Sequence, residues 1–590
     1  MKQVPSKKEK SNKKNPNQSP VTPSIHVTGD KVCITNRSMQ AIVVSAMVIC
    51  LLVFLVYRPA LNNDFVNWDD DLYVYNNANI RSLDFPSLLR MFTEFNAGLW
   101  LPLTWLSHAT DYAFWKLDPF GHHLTSIILH MLNTLTAFFL FIRLIIKHKE
   151  NYVISKPPTR LFSNFAQVLI TAGIAALLFG IHPLRVESVV WAAERKDVLC
   201  VFFFLLSTHF YISYASATQQ PHRSKLYIIV LLLFIMALMA KPMAVTLPAV
   251  LLLLDIFPLR RIGKQPWKHV NVLLEKIPFF IASIGSSVIT ILAQGSGGAI
   301  KNIDAGTRVV NAVRSLVFYI EKMVWPFEMA PFYPLPKHIN FFDPEYLLSG
   351  IVLLTITGAC LWMFQRGNLL FLTVWSYYVI TLLPVLGITQ QVGWQAAGDR
   401  FTYLPSISLS LVFGIGITWA RQKVACAWPK KNVGDLLLIF PFITIALFGY
   451  LTLQQITVWR NSEIMWNHVL SISPNTSVPY NNLGIIYAEK GMLDKAISNF
   501  KKALSINPRH TEAHSNLGTA YAQQGKVDDA IAEFKQALAI NPHFLDANRN
   551  LVLAYYNQGK YNLAVTHLNE AMKLGVNVGP DLLKLLKPYH

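Results

Sequence analysis

The residues best suited to proton transfer are three consecutive carboxylates, Asp69, Asp70 and Asp71, in the segment DFVNWDDDLY at residues 64–73. Neighbouring carboxylates repel one another, so one of them can retain its proton, which suits a general acid or base. The same run also fits a solvated loop or an incidental cation site. The spacing alone leaves both interpretations open.

Two further segments combine cations with carboxylates. Residues 181–197 read IHPLRVESVVWAAERKD and include His182, Glu187, Arg195, Lys196 and Asp197. Residues 390–403 read QQVGWQAAGDRFTY and include Asp399 and Arg400. Because arginine binds phosphate through two parallel hydrogen bonds, cations beside carboxylates at a membrane surface suit a lipid-linked phosphate donor.

The composition indicates that a membrane positions these segments. Hydrophobic residues make up 53% of the chain and charged residues 14%, against about 25% charged residues in soluble domains. The net charge of +19 lies in the N-terminal tail and in short loops between apolar runs, which argues against a nucleic-acid partner. The five cysteines form no CxxC pair, so neither a disulfide nor a cysteine metal site is expected.

Eleven apolar runs predict an all-α, polytopic transmembrane bundle. The predicted spans are 39–57, 122–146, 164–182, 198–215, 226–240, 243–258, 276–294, 346–364, 369–388, 403–420 and 435–457. Lys241-Pro242 separates two short runs, which form either a tight hairpin or one broken segment. Residues 309–327 carry Arg314, Glu321 and Lys322 at helical spacing, so we predict an amphipathic helix on the outer surface there.

The basic loops predict the orientation. Residues 1–38 form a basic tail that we expect to be disordered and cytoplasmic. With eleven spans, the basic connectors 147–160, 223–225, 259–275 and 421–431 all fall on the side of this tail, as the positive-inside rule requires. The three chemistry-bearing segments and the C-terminal domain then lie outside.

A 34-residue period marks the C-terminal domain, residues 461–590. Three units, 478–511, 512–545 and 546–579, align without a gap. Asn482-Leu483 recurs as Asn516-Leu517 and Asn550-Leu551, and Gly491 recurs as Gly525 and Gly559. This pattern is that of the tetratricopeptide repeat (TPR), whose curved α-solenoid binds peptides or partner proteins. A partial unit at 462–477 and a capping helix at 580–590 are expected to flank the array.

The order of the motifs resembles a known family. NWDDDLYVYNN, GLWLPLTWLSHATDYAFW, GHHLTSIILHMLN, HPLRVESVVWAAERKDVL and GDRFTYLPS, followed by the repeats, resemble the transmembrane-and-TPR O-mannosyltransferase-like family of C-type (GT-C) glycosyltransferases. The resemblance covers nearly the whole chain after the tail. The lysine-rich tail and the regular repeats resemble a prokaryotic member, which implies the bacterial inner membrane.

The resemblance implies transfer of a sugar from a polyprenyl-phosphate carrier to an acceptor on the outer side, with residues 39–460 as the transferase domain. The family's acidic pair falls on Asp69 and Asp70, one of which would deprotonate the acceptor hydroxyl. The family's second motif falls on His182 and Glu187, and the patch after it on Arg195, Lys196 and Asp197. Its third motif falls on Asp399 and Arg400. Arg195 and Arg400 are assigned to the donor phosphate as a hypothesis.

Several alternatives remain open at this stage. His122 and His123 open a span, where a structural histidine is more usual than a metal ligand. No cofactor is demanded by any spacing, and a divalent cation such as Mg²⁺ or Mn²⁺ is left open. A non-enzymatic TPR scaffold would explain the repeats but not the charged outer segments. A transporter would place its ionisable residues in mid-membrane instead.

Overall fold

The computed structural model describes residues 36–96, 98–153, 162, 164–263, 265–296, 300–301, 303–336, 339–388, 391–392, 395–428 and 433–589. The predicted basic tail lies outside these residues, except for Asn36, Arg37 and Ser38, which begin the first helix. The fold is all-α, as predicted, with two small two-stranded sheets in its loops.

Seventeen α-helices precede the repeats within the described residues. They are α1 (Asn36–Tyr57), α2 (Phe85–Thr93), α3 (Pro102–Trp115), α4 (Pro119–Val153), α5 (Phe165–Ile181), α6 (Val186–Val190), α7 (Arg195–Ser216), α8 (Gln220–Ala240), α9 (Leu247–Ile256), α10 (Val270–Leu274), α11 (Ile277–Ser296), α12 (Ala305–Val324), α13 (Pro344–Gln365), α14 (Leu369–Leu382), α15 (Ser406–Ala427), α16 (Val433–Leu436) and α17 (Ile439–Val458). The strands are β1 (Ile300–Lys301), β2 (Tyr333–Pro334), β3 (Gln391–Val392) and β4 (Gln395–Ala397), with β1 antiparallel to β3 and β2 antiparallel to β4.

The chain is a membrane protein by the length and composition of its helices. Among the described residues, seven helices are long and apolar enough to cross a membrane, and a pair bent by 55° between Ile181 and Pro183 adds an eighth. Two shorter apolar helices, Pro242–Ile256 and Leu369–Val385, follow. Each of the eleven predicted runs coincides with helix. The count of eleven spans is not confirmed and stays a prediction.

Contacts at one end of the bundle join loops that were predicted to lie on the cytoplasmic side. Asn151 donates a hydrogen bond to the carbonyl of Pro258 at 2.9 Å. Arg223, at the start of α8, and Arg261, after α9, each donate to Glu275 at 2.8 Å. The start of α8 and the end of α9 therefore lie on the same side of the bundle. The Lys241-Pro242 segment between these helices is the tip of a hairpin rather than a break in one span.

Helix α12 lies along the opposite end of the bundle. Asn311 donates to the carbonyl of Ala396 at 3.1 Å, and His182 contacts the carbonyl of Met323 at 3.0 Å. These contacts are twelve residues apart, which is about 18 Å along a helix. Since α12 touches loops of the same end at both points, it packs across that end and is not among the candidate spans.

Eight described helices after α17 form the repeat domain: one from the partial unit, six from the three repeats and one cap. They are α18 (Ser462–Ile472), α19 (Ser477–Glu489), α20 (Leu493–Ile506), α21 (Thr511–Gln523), α22 (Val527–Ile540), α23 (Leu545–Asn557), α24 (Tyr561–Lys573) and α25 (Pro580–Leu586). Gly491, Gly525 and Gly559 each have positive φ after the first helix of a pair. A glycine adopts this conformation without the steric penalty of a side chain, which explains its recurrence.

The helix pairs are held together by complementary side-chain sizes. A Cβ added at Gly484 would lie 2.4 Å from the Phe500 ring, and one at Gly518 would lie 2.7 Å from the Phe534 ring. In the third unit, Val552 and Leu568 occupy the equivalent positions, and both are buried. A large aromatic ring thus pairs with glycine twice, and a smaller side chain pairs with valine once.

This size matching predicts that Gly518→Val destabilises the second repeat by about 1–3 kcal/mol through overpacking. The double variant Gly518→Val with Phe534→Leu copies the third unit and should recover most of this loss. Hydrogen exchange of residues 511–540 in the full chain measures the local unfolding free energy. Equal protection in the single and double variants would contradict the size-matching explanation.

Candidate functional site

The acidic loop at residues 64–71 is fastened to the segment after α6. Trp191 donates its indole N–H to the carbonyl of Trp68 at 2.8 Å. Asp70 accepts the backbone N–H of Ala193 at 2.8 Å with Oδ1 and that of Val66 at 2.9 Å with Oδ2. Asp70 is only 1% exposed, and burial raises its pKa to about 8. With both of its oxygens occupied by the backbone, Asp70 acts as the anchor of the loop.

Asp69 differs from Asp70 in conformation and in surroundings. Its φ of 61° lies in the left-handed region, which costs a non-glycine residue roughly 1–3 kcal/mol. Asp69 is half-buried, and no described residue donates a hydrogen bond to its carboxylate. Burial raises its pKa, while Lys196 and Arg400 lower it. The loop therefore holds one unbonded carboxylate beside two cations in a strained backbone conformation.

A network of ion pairs surrounds this carboxylate. Glu187 forms an ion pair with the Arg400 guanidinium and accepts the Arg400 backbone N–H at 2.8 Å. Glu194 accepts from Lys196 Nζ at 3.0 Å, from Lys241 Nζ at 3.1 Å and from Arg400 Nε at 3.3 Å. The three cations come from three separate segments of the chain, so the network joins those segments together.

Lys241 also bonds Asp197, which completes the network. The anionic and cationic side chains of the network differ in their exposed fraction. The carboxylates of Glu187, Glu194 and Asp197 are 2%, 4% and 1% exposed, whereas Arg400, Lys196 and Lys241 are 11%, 9% and 13% exposed. All six side chains are largely buried, and the three cations are more exposed than the carboxylates that hold them.

Asp399 lies beside this network. Tyr333 donates its hydroxyl to Asp399 Oδ1 at 3.0 Å. Burial raises the pKa of Asp399 to about 8, and the neighbouring Glu187 raises it as well. Asp399 also begins the short 3₁₀ turn Asp399–Thr402, which orients Arg400 toward Glu187. The structure thus brings together seven of the nine predicted site residues: Asp69, Asp70, Glu187, Lys196, Asp197, Asp399 and Arg400.

Arg195 and His182 point elsewhere. Arg195 is fully buried and donates to Asp111 Oδ2 at 2.5 Å and to Ser126 at 2.9 Å. His182 accepts the backbone N–H of Leu184 at 3.2 Å and so caps the turn at the 55° bend. The guanidinium of Arg195 is therefore directed away from the Asp69 site, unlike in the sequence-based hypothesis. His182 lies at the bend between the two helices.

Lys241 is the member of the network that the candidate residues did not include. The sequence signal was present, because a lysine that interrupts two apolar runs needs a buried partner. Its partners, Glu194 and Asp197, lie 47 and 44 residues earlier in the chain. Pairing over such a separation could not be assigned from one sequence.

The network does not suit a resident Mg²⁺ or Mn²⁺. These ions require free carboxylate oxygens, and here Glu187, Glu194 and Asp197 are already paired with two lysines and an arginine. The carboxylates of this network are thus already neutralised by the protein's own cations.

The first helix of the repeat domain packs directly on the acidic loop. Trp466 of α18 stacks on Trp68 with ring centroids 4.6 Å apart and donates its indole N–H to Asn67 at 2.7 Å. The backbone N–H of Asn67 donates to Ser462 Oγ at 2.8 Å. Leu483 of α19 belongs to the same buried core. The repeats are therefore held against the residues that flank Asp69.

Comparison with known proteins supports both parts of the chain. Two tetratricopeptide repeat models match residues 475–542 and 522–586. The chain is 23% identical to the protein O-mannosyl-transferase TMTC1 of Homo sapiens over 76% of this chain and 53% of that protein. It is 26% identical to the protein O-mannosyl-transferase TMTC4 of Homo sapiens over 55% of this chain and 48% of that protein.

These relatives confirm the resemblance that the motif order predicts. The chain spans about half the length of the curated relatives it matches. Among solved structures, the Sgt2 TPR domain from Aspergillus fumigatus is 25% identical over 19% of this chain and 73% of that chain. Its TM-score of 0.18 is too low to support any statement about the fold.

The anchoring role of Asp70 predicts that Asp70→Asn destabilises the protein by about 1–3 kcal/mol, because the amide NH₂ would face one of the two backbone N–H donors. Asp71→Asn is the matched control, since no backbone N–H depends on that side chain. Thermal unfolding of the detergent-solubilised protein measures the difference. Equal melting temperatures for the two variants would remove the anchoring role.

Proposed function

We propose that this protein is a GT-C-type glycosyltransferase of the O-mannosyltransferase kind. It transfers a sugar from a polyprenyl-phosphate donor to a protein hydroxyl, that of a serine or threonine. The observation that carries the proposal is the unbonded carboxylate of Asp69, held in a strained conformation beside a network that contains three cations. The names of the related proteins support the same reaction class.

Asp69 is the general base in this proposal. Its carboxylate takes the proton of the acceptor hydroxyl as the hydroxyl oxygen attacks the anomeric carbon of the sugar. The new glycosidic bond forms while the bond from the anomeric carbon to the phosphate oxygen breaks, which inverts the configuration. The electron pair of the broken bond leaves with the polyprenyl phosphate. A base with a raised pKa accepts this proton more readily than an ordinary aspartate.

Lys196, Lys241 and Arg400 bind the donor phosphate in this proposal. Their charges stabilise the negative charge that develops on the leaving oxygen. Glu187, Glu194 and Asp197 hold the three cations in place before the donor arrives, so little reorganisation is needed during the reaction. Arg195 has no part in phosphate binding, because Asp111, Ser126 and Ser107 already occupy its guanidinium.

The repeat domain supplies the acceptor. Because Trp466 stacks on Trp68, an extended peptide bound by the solenoid would be held close to Asp69. The basic connectors, which the positive-inside rule assigns to the cytoplasm, support the proposal that this site and the repeats lie on the extracytoplasmic side. A bacterial inner membrane then provides the polyprenyl-phosphate donor in its outer leaflet.

This mechanism predicts that Asp69→Asn reduces sugar transfer by roughly 10²–10⁴-fold while the fold remains intact, because an amide cannot accept the hydroxyl proton. The assay uses proteoliposomes with radiolabelled polyprenyl-phosphate sugars and an envelope protein extract, and it follows label in protein. Asp71→Asn is the matched control and should retain transfer.

The pH dependence of sugar transfer distinguishes a general base at Asp69 from a residue that only positions the acceptor. Transfer by the wild type should fall as the pH is lowered through the raised pKa of Asp69, because the protonated carboxyl cannot accept a proton. Lys196→Met removes a charge that lowers this pKa, so its acid limb should shift to higher pH. Full transfer by Asp69→Asn would overturn the mechanism. No transfer from any donor, with partner binding intact, would favour the scaffold.

Contact between the repeats and the acidic loop predicts that Asn67→Ala lowers transfer to protein acceptors roughly tenfold or more, because misplaced catalytic groups lose much of their effect. Asn67 accepts from Trp466 and donates to the carbonyl of Asn482 at 3.3 Å. Asn76→Ala, at an exposed position five residues after the acidic loop, is the control. Hydrogen exchange of residues 64–70 should rise only in Asn67→Ala. Unchanged exchange and transfer would show that docking is unnecessary.

A further inference from the structure

A buried group of two histidines and a carboxylate lies on the far side of Arg195 from the proposed transfer site. His108 and Asp111 are one helical turn apart on α3, and His122 lies in the first turn of α4. One donor atom from each lies within 4.8 Å of the other two. His108 and His122 are 0% exposed and Asp111 is 5% exposed. No step of the proposed transfer uses these residues.

Three of the four histidine nitrogens in this group lack a hydrogen-bond partner among the described residues. Neither ring nitrogen of His108 has one among the described residues, although the side chain is fully buried. A neutral imidazole has one donor and one acceptor, and a protonated one has two donors, so no protonation state of His108 is satisfied here. Buried polar groups without partners are rare and call for a missing ligand or water.

His122 gives the second observation. Its Nε2 lies 3.2 Å from the carbonyl of Lys116, which can only accept, so this nitrogen carries the proton. Nδ1 of the neutral ring is then a lone pair, and it faces Asp111 Oδ2 at 3.6 Å. Two lone pairs that face each other in a buried space repel, and either a metal ion between them or a proton on Nδ1 removes this repulsion.

The surroundings hold these donors in place in the manner of a metal site. Thr125 donates to Asp111 Oδ1 at 2.7 Å, and Arg195 donates to Asp111 Oδ2. The carbonyl of Lys116 fixes the tautomer of His122. Outer hydrogen bonds of this kind orient metal-binding histidines and carboxylates in known sites.

We propose that His108, Asp111 and His122 bind one zinc-class divalent ion. Imidazole nitrogen selects Zn²⁺ or a similar transition metal, whereas Mg²⁺ and Ca²⁺ prefer oxygen ligands. Two histidines and one carboxylate make a three-ligand set that leaves a fourth position for water or hydroxide. A hydroxide there would offset the positive charge of the nearby Arg195.

Such an ion would join two helices directly and a third through the contact between Asp111 and Arg195. His108 and Asp111 lie on α3, His122 on α4, and Arg195 begins α7 next to Lys196. The metal would therefore fix the outer end of these helices and, through Arg195, the start of the helix that carries Lys196 and Asp197. This inference does not depend on the proposed sugar transfer.

Metal content of the purified full chain tests the site directly. The protein is produced without a polyhistidine tag, supplied with Zn²⁺, washed with a mild chelator and measured by elemental mass spectrometry. We expect about one Zn²⁺ per chain in the wild type and in the control His209→Gln. His108→Leu and His122→Leu should each retain at least tenfold less. Less than one tenth of an equivalent in the wild type would overturn the proposal.

Thermal unfolding separates a ligand from a poorly paired buried histidine. If His108 binds no metal, His108→Leu removes two unsatisfied nitrogens and should raise the melting temperature. If His108 is a ligand, Zn²⁺ should raise the melting temperature of the wild type and have no effect on His108→Leu. Absorption bands of tetrahedral Co²⁺ in the wild type give a readout that requires no variant. A variant more stable than the wild type with Zn²⁺, and no Co²⁺ bands, would overturn the proposal.

Discussion

Charge pairing at the end of the bundle that carries Asp69 is the constraint on which the site depends. Removing a carboxylate or an ammonium from water costs several kcal/mol per ion unless a well-placed partner compensates. Glu194 alone meets Lys196, Lys241 and Arg400, which come from three different segments. The charges of these three segments can be buried only when all three segments come together. The network therefore determines how the three segments pack as well as how its cations are oriented.

In the acidic loop, backbone geometry gives the adjacent residues Asp69 and Asp70 different roles. Asp70 gives both oxygens to backbone N–H groups, and that anchoring holds Asp69 at a positive φ with its carboxylate unbonded. A similar division separates Arg195 from Lys196, since consecutive residues on a helix point about 100° apart. Arg195 faces Asp111 in the core, and Lys196 faces Glu194 at the mouth.

Sequence reasoning succeeds here where the signal is periodic and fails where it depends on pairing. The 34-residue period and the apolar runs locate the repeats and the helices, because each is a local property of the chain. The predicted amphipathic helix is α12, and it packs across the end of the bundle for the reason that its charges suggest. The partners of Lys241, the direction of Arg195 and the choice between Asp69 and Asp70 are set by tertiary contacts and one backbone angle, which no local pattern encodes.

The contact between Asn67 and Trp466 joins residues that are 399 positions apart. A ribosome that adds about 5–20 residues per second takes roughly 20–80 s to cover that interval. Throughout that time the acidic loop has been made but lacks the indole that stacks on Trp68. A nascent or prematurely terminated chain can therefore insert its helices without completing its site. The contacts between the acidic loop and α18 therefore form only after the seventeen described helices before α18 have been synthesised.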